Sequence, residues 1–395
     1  MFHTAKSRDI IQGKVTDVYF ERTLKILEGK GVNPVVKAEF IAKTLPESWP
    51  WAVFAGLEEA IYLLKKLPVK VRAIREGTVF YPYEPVMEME GRYRDFCVYE
   101  TAVLGLICQA SGVATRASRF KNLAGQRLVI SFGARRMHPV LAPMIERNAY
   151  IGGCDGVSVV RSGELIGEEA MGTMPHALIL CMGSTVEALK AYDEIMPANV
   201  KRVALIDTFN DEKFECLNVA EALGEKLFAV RFDTPGSRRG DFYRILEECR
   251  WELDLRGHKH VKFFVSGGIK EDDVPRLNPL VDGYGIGTSI SNSPVIDYAM
   301  DIMEIEGKPL AKRGKWSGSK RVLRCPRCPP YSDQKIVPEH KIVPSAPETP
   351  TCSCGEKFED VLIPVLDNGM ELLEPETAQE IRGRTLAQTR RVFGS

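Results

Sequence analysis

Val203-Ala-Leu-Ile206 runs straight into Asp207-Thr208-Phe209, and the same design recurs downstream. Leu227-Phe-Ala-Val230 leads into Arg231-Phe232-Asp233-Thr234, and Val261-Lys-Phe-Phe-Val265 into Ser266-Gly267-Gly268. Val281-Asp-Gly-Tyr284 leads into Gly285-Ile286-Gly287-Thr288. Short apolar runs bounded by turn residues read as fully buried strands. The intervening segments 215–224, 238–253 and 270–280 are long enough for helices, so strand and helix alternate as in a parallel β/α sheet. In a β/α barrel the chemistry sits where strands end, and phosphate binds at the last loops and the helix start beyond them. Here the glycines fall on the last two strands and the carboxylates on earlier ones, an arrangement suited to a phosphorylated sugar.

Working outward, the barrel is expected to begin with Arg127-Leu-Val-Ile-Ser131, followed by strands at 156–160 and 177–180. Ser293 reads as an N-cap with Pro294 at the first helical position. Upstream, 21–27 and 58–67 read as helices, 75–82 and 86–90 as half-buried strands, and 99–109 as a buried helix. From Lys308-Pro309 onward the composition turns to Lys, Arg, Pro and Cys. The expected division is therefore 1–116, 117–307 and 308–395.

The 395 residues are enough for two or three domains, and the hydrophobic share of 44% with 27% charged residues is ordinary for a soluble protein. Basic and acidic residues balance at 53 each, which gives no field for nucleic acid or a membrane surface. With no secretory signal at the start and no long apolar run, the chain reads as cytoplasmic. Six of the ten cysteines (Cys97, Cys108, Cys154, Cys181, Cys216, Cys249) are scattered through expected elements as small apolar residues. The other four, Cys325-Pro-Arg-Cys328 and Cys352-Ser-Cys354, supply the ligand count of a closed structural zinc site that staples a segment too small to fold alone.

The two glycine runs offer N–H groups at helix starts that a phosphate can approach closely. Phe132-Gly-Ala-Arg135-Arg136-Met-His138 gathers two guanidiniums and an imidazole behind an aromatic ring, either a solvated basic turn or a site for a flat anion. Asp207 and Asp233 are suited to binding sugar hydroxyls, holding Mg²⁺ or steadying positive charge, or else to capping helices. His176 follows Gly172-Thr173-Met174-Pro175 in a loop, structural or functional with equal weight.

In order along the chain, Thr16-Asp17-Val18-Tyr19, Arg75-Glu76-Gly77-Thr78, Glu100-Thr101-Ala102, Phe132-Gly133-Ala134-Arg135-Arg136, Gly172-Thr173-Met174-Pro175-His176, Asp207-Thr208, Arg231-Phe232-Asp233, Ser266-Gly267-Gly268 and Gly285-Ile286-Gly287-Thr288 resemble the nicotinate phosphoribosyltransferases, particularly the archaeal and short bacterial forms. The resemblance covers roughly residues 8–305. It implies a type II phosphoribosyltransferase: an N-terminal α/β sandwich, an irregular β/α barrel and, here, a small C-terminal zinc-binding segment. The implied reaction joins nicotinate to phosphoribosyl pyrophosphate (PRPP), giving nicotinate mononucleotide and pyrophosphate in NAD biosynthesis, with Mg²⁺ and with ATP hydrolysis coupled through a phosphohistidine at His176.

By the same resemblance Gly267, Gly268, Gly287 and Thr288 hold the 5′-phosphate, and Asp207, Arg231 and Asp233 surround the ribose. Arg135, Arg136 and His138 face pyrophosphate and the nicotinate carboxylate, and Thr173 and Ser266 join the substrate-binding set. Phe132 and a Tyr19 from a neighbouring subunit sandwich the pyridine ring, so a homodimer with shared sites is the implied minimum. Pro175 stands where relatives often carry alanine and Phe232 where they often carry leucine.

Quinolinate phosphoribosyltransferase would need further cations for a second ring carboxylate, and a nicotinamide enzyme would want a neutral or acidic partner for the amide. An aldolase or isomerase barrel would need a Schiff-base lysine or acid–base pair at a strand end, and Lys262 lies too early in its strand. A nucleic-acid ribbon built on the cysteine segment would need stacking aromatics, and Trp316 is its main support.

Overall fold

The computed structural model describes residues 2–328, 331–332, 335–336, 341–344 and 351–393. Two compact units divide the chain: Arg116–Ser293, and Met1–Thr115 together with Pro294–Ser395.

The continuous unit is built on five parallel strands, largely buried because most of their residues are apolar. In spatial order they are Leu128–Ser131, Gly283–Ile286, Lys262–Val265, Leu227–Phe232 and Arg202–Leu205. The first strand thus lies beside the last, and every C-terminal end points the same way. The helices Glu212–Leu223, Phe242–Leu255 and Asp273–Leu277 follow their strands. Phe232 turns into the core, edge-on to Phe242 and Phe263, so the larger side chain at that position is absorbed by aromatic packing.

Two expected strands of this unit form differently. At 156–160 only a single parallel bridge from Ile130 to Gly156 is made. The backbone N–H groups of Ser158 and Val159 donate instead to the buried Glu146 carboxylate, at 3.1 and 2.9 Å, and the chain turns into the helix Val160–Ile166. The run at 177–180 is likewise helical, within His176–Met182. Its Leu180 is exposed and Ile179 alone is buried, which a central strand would not allow.

The other unit carries a seven-stranded antiparallel sheet with strand order Lys308–Pro309, Ala299–Ile305, Val35–Ile41, Pro85–Arg92, Lys70–Ala73, Ile363–Asp367 and Met370–Glu371. Leu57–Leu64 and the first part of Glu100–Ala124 pack into one core with it, through Leu57, Ile61, Leu64, Val103 and Ile107 against Val36, Phe40, Met87 and Met89. Tyr93–Ala124 is long and apolar enough to cross a membrane by length and composition. Within it, however, the Ser111 and Thr115 hydroxyls accept from the backbone N–H groups of Ala55 and Val53, as in a core helix.

The expected boundaries differ from this partition. Residues 294–307 belong with the N-terminal sheet because Ala299–Ile305 pairs with Val35–Ile41. The described residues of 308–395 form no separate body, since Ile363–Asp367 pairs with Lys70–Ala73. The helix expected at Ser293–Pro294 is absent: the chain runs without regular structure to the strand at Ala299. There the Pro294 carbonyl lies so close over Gly112 that a Cβ would sit 2.2 Å from it, and Ile296 N–H donates to the Cys108 carbonyl at 3.0 Å.

Candidate active site

The strand Leu227–Phe232 delivers Arg231 and Asp233 to the C-terminal rim of the parallel sheet. The Arg231 guanidinium donates to Thr173 Oγ1 at 2.6 Å and to Ser266 Oγ at 3.0 Å, and it pairs with Asp233 at 3.2 Å. Ser266 in turn donates to Asp233 Oδ1 at 2.6 Å. Four expected site residues from three segments therefore share one network.

Next to Ser266 the backbone of Gly267 adopts φ +83, and a Cβ there would lie 2.8 Å from the Asp233 carbonyl. Glycine is required at that point by both conformation and space. Gly268 is also left-handed, at φ +76, with open space where a side chain would be.

His176 opens the helix His176–Met182 after the extended Pro175. Its Nδ1 lies 2.9 Å from Thr208 Oγ1, and its Nε2 lies 3.7 Å from Asp233 Oδ2 and 3.9 Å from Asp207 Oδ2. The imidazole is 40% exposed and so open to a ligand, while the Asp207 side chain is 5% exposed. Burial pushes the Asp207 carboxyl up, with the His176 imidazole opposing and Asp233 adding to the rise. Asp207 Oδ1 is buried with no hydrogen-bond partner among the described residues, an acceptor left for something that enters. Neither Asp207 nor Asp233 caps a helix. The helix after Asp207 is capped by Asp211, whose side chain accepts from Lys213 N–H, and the short helix after Asp233, Gly236–Arg239, has Pro235 at its cap position.

Phe132 reaches this rim from the first strand: the Arg231 guanidinium lies 5.5 Å from its ring centre. Its ring lies close against Gly285, where any Cβ would meet it at 2.5 Å. Gly133 is held as closely to the Gly287 carbonyl, also 2.5 Å from an added Cβ, so the Phe132 turn and the last glycine loop adjoin. Thr288 is exposed at the start of the short helix Thr288–Ser291.

Arg135, Arg136 and His138 sit just beyond Gly133 and are exposed. The two arginines make no ion pair among the described residues, and His138 Nδ1 accepts from Val140 N–H at 3.2 Å. They border the network without joining it. Tyr19 lies in the other unit, on the helix Val18–Gly29, and is 55% exposed. Lys262 starts its strand and pairs with Asp282 at 3.1 Å, at the opposite end from the rim.

The arrangement matches proteins already described. The quinolinate phosphoribosyl transferase profiles fit residues 17–111 for the N-terminal domain and 113–301 for the C-terminal domain. The crystal structure of a nicotinate-nucleotide pyrophosphorylase from Pyrococcus furiosus superimposes with a TM-score of 0.94 at 49% identity, spanning 99% of this chain and 98% of that one. The chain belongs to the type II phosphoribosyltransferase family.

Within that family, a nicotinate phosphoribosyltransferase of Mycobacterium tuberculosis (pncB2) is 31% identical over 267 residues, covering 64% of this chain. The match spans 56% of that relative's length. Human nicotinic acid phosphoribosyltransferase, at 19% identity, shares the fold with a TM-score of 0.72 over 95% of this chain and 94% of that one.

For a type II phosphoribosyltransferase the residue that sequence reading missed is Arg239. The expected helix at 238–253 is broken by Gly240 into Gly236–Arg239 and Phe242–Leu255. That break turns Arg239 back so that it donates to the carbonyls of Gly267 and Thr234, stacking on Phe242 at 4.4 Å. A cavity of about 360 Å³ opens there, lined by Arg239, Arg276, Gly267 and Gly268. The signal was present in Gly236-Ser-Arg-Arg-Gly240, whose flanking glycines mark a short turn rather than a helix interior.

In the other unit the thiols of Cys325, Cys328, Cys352 and Cys354 lie within 4.8 Å of one another. Cys325 to Cys354 is 3.5 Å and Cys328 to Cys352 is 3.8 Å. Four sulfurs around a tetrahedral zinc stand about 3.8 Å apart at ordinary Zn–S lengths. The thiols pack with Leu323 and Phe358 in a small core of their own, and the set fits a closed metal site.

Proposed function

We propose that the chain is a nicotinate phosphoribosyltransferase, moving phosphoribose from PRPP to the ring nitrogen of nicotinate with release of pyrophosphate. The observation that carries this reading is the rim network of Arg231, Asp233, Ser266 and Thr173 beside Gly267 and beneath His176 and Asp207. The names of the mycobacterial and human relatives supply the acceptor.

The chemistry follows from charge. Breaking the bond between C1′ and pyrophosphate leaves a cationic sugar and a departing polyanion. Asp233, held by Arg231 and Ser266, and Asp207, with its open oxygen, stabilise the sugar as positive charge develops. Gly267, Gly268, Gly287 and Thr288 seat the 5′-phosphate through backbone N–H groups. Arg135, Arg136 and His138, exposed beside Phe132, receive the pyrophosphate and the nicotinate carboxylate, and Phe132 with Tyr19 of a second copy stacks the ring. The pyridine nitrogen needs no base, only placement at attack distance. The orphaned Asp207 oxygen and Asp233 suit Mg²⁺, which when bound neutralises the phosphates' charge.

ATP coupling assigns His176 as phosphoryl acceptor. A nucleophilic Nε2 requires the tautomer in which Nδ1–H donates to Thr208. Nε2 then bonds to the γ-phosphorus, the γ–β bridging bond breaks, and ADP leaves. Pyrophosphate release and hydrolysis of the phosphohistidine complete the cycle, in the cytoplasm and in a homodimer or larger assembly.

The four thiolates hold a structural Zn²⁺. Metal analysis of freshly purified protein is expected to find one zinc per chain; none would remove that assignment.

Quinolinate as acceptor is the second reading, favoured by the description of the matching family profiles. It would demand a cation for the second ring carboxylate beyond the Arg135–Arg136 pair. Mononucleotide formation from nicotinate, nicotinamide and quinolinate, each with and without ATP, separates them. Nicotinate is expected to turn over fastest, with ATP stimulation that His176→Ala abolishes. Turnover of quinolinate alone would replace the first reading with the second.

A further inference from the structure

A second basic cavity, of about 400 Å³, lies in the unit that carries the cysteines. Its wall brings together Arg75 from the turn after Lys70–Ala73, Arg324 from the strand Lys320–Arg324, and Arg384, Gln388 and Arg391 from the helix Ala378–Phe393. These residues are far apart in sequence, so the fold itself assembles four guanidiniums around one space.

Their donors exceed the acceptors at hand. Arg75 and Arg384 share one oxygen of Glu376, and Arg391 makes no ion pair among the described residues. Arg324 pairs with Glu84 at 2.8 Å, yet its Nε is buried with no hydrogen-bond partner among the described residues. Of the two carboxylates in the wall, Asp360 is occupied, with Oδ1 accepting from Val322 and Leu362 N–H at 3.0 and 3.1 Å and Oδ2 facing Arg321, while Glu359 is exposed; Cys325 and Cys328 of the thiol set also line the space. Gln388 gives its oxygen to Val79 N–H, which leaves its amide N–H groups available. Planar guanidiniums that retain free donors are matched by phosphate oxygens, which accept several at once. The volume suits a nucleotide-sized molecule.

We infer that this cavity, lined wholly by residues of the sheet unit, is a binding site for a phosphorylated small molecule, independent of what the rim acts on. A bound phosphate draws together the Arg75 turn, the Arg324 strand and the C-terminal helix, so binding stabilises this unit.

The test is calorimetric titration of the full-length chain with inorganic pyrophosphate and, in a second arm, ADP. A double variant, Arg75→Gln with Arg391→Gln, carries both changes at exposed positions of the sheet unit, neither among the residues assigned to the rim. The wild type is expected to show one more phosphate site per chain than the variant, or one class weakened at least about tenfold by the loss of two charged contacts. Basal mononucleotide formation and far-ultraviolet circular dichroism should stay unchanged in the variant. Either ligand losing its extra site supports the assignment and names the size class. Equal stoichiometry and affinity for both ligands in the two proteins would overturn it.

Discussion

The core of the sheet unit and the barrel rim treat charge in opposite ways. In the sheet core, Lys320 reaches Glu39 at 2.7 Å with both side chains under 10% exposed, and the Asp301 carboxylate lies within ion-pair distance of Lys312 and Lys315. Lys320 is completed by the Trp316 and Gly318 carbonyls. At the barrel rim, Asp207 keeps an orphaned oxygen, His176 stands between two carboxylates at more than hydrogen-bond distance, and Arg135 and Arg136 carry no counter-ion among the described residues. A charge that serves folding finds its partner inside the chain. A charge that serves a ligand is left incomplete, and the cost of that incompleteness is met when the ligand arrives.

The contrast can be broken most sharply at Asp233. Asp233→Asn keeps the shape but removes the charge facing the sugar, and kcat for mononucleotide formation is expected to fall about 10²–10³-fold. The thermal midpoint should hardly move; retained turnover would take Asp233 out of the chemistry.

The mirror experiment is Lys320→Met, which strands the Glu39 carboxylate in the core. Folding stability is expected to drop by about 3–5 kcal/mol in urea titration, with turnover per folded molecule unchanged. Adding Glu39→Leu should restore most of it, because the loss comes from the unpaired partner rather than from the pair. If the double variant is as weak as the single one, the pair itself carries the stability.

A smaller effect sharpens the comparison at Glu100. Burial, with Asp301 and Asp17 adding and Lys312 opposing, pushes its carboxyl up to about 7. The folded state then holds a proton that the unfolded chain releases near its ordinary value of 4.5. Between those values stability falls as pH rises, and above about 7 this contribution is flat. Glu100→Gln should flatten that window by on the order of 1 kcal/mol, read from denaturant midpoints at a series of pH values. An unchanged slope would place the titration elsewhere.

What could be read from the sequence was whatever one strand carries by itself. Arg231 and Asp233 are neighbours on one strand end, and Ser266-Gly267-Gly268 follows a strand, so local pattern and parallel order together put them at one rim. His176 was legible as a loop residue but not as helical, because its apolar run Ala177-Leu-Ile-Leu180 reads like a strand until Leu180 proves exposed. The strand expected at 156–160 was lost to Glu146, a tertiary partner that no local pattern announces. Pro294 shows the same limit: its capping signal is overridden by the close approach over Gly112. The split around Gly240 that aims Arg239 was visible as glycine punctuation and was outweighed by the helical pattern after it.

The strand Ile363–Asp367, which closes against Lys70–Ala73, has a consequence for synthesis. Lys70–Ala73 is made before the barrel unit and its partner after it, so this sheet is whole only once the strand beyond the barrel has been made. The barrel unit, an uninterrupted stretch of chain, has all its strands in hand much earlier. Birth order and assembly order are therefore reversed: the barrel can close while the earlier-made strand Lys70–Ala73 still offers an open edge, and that edge is the nascent chain's exposed flank until Ile363–Asp367 emerges.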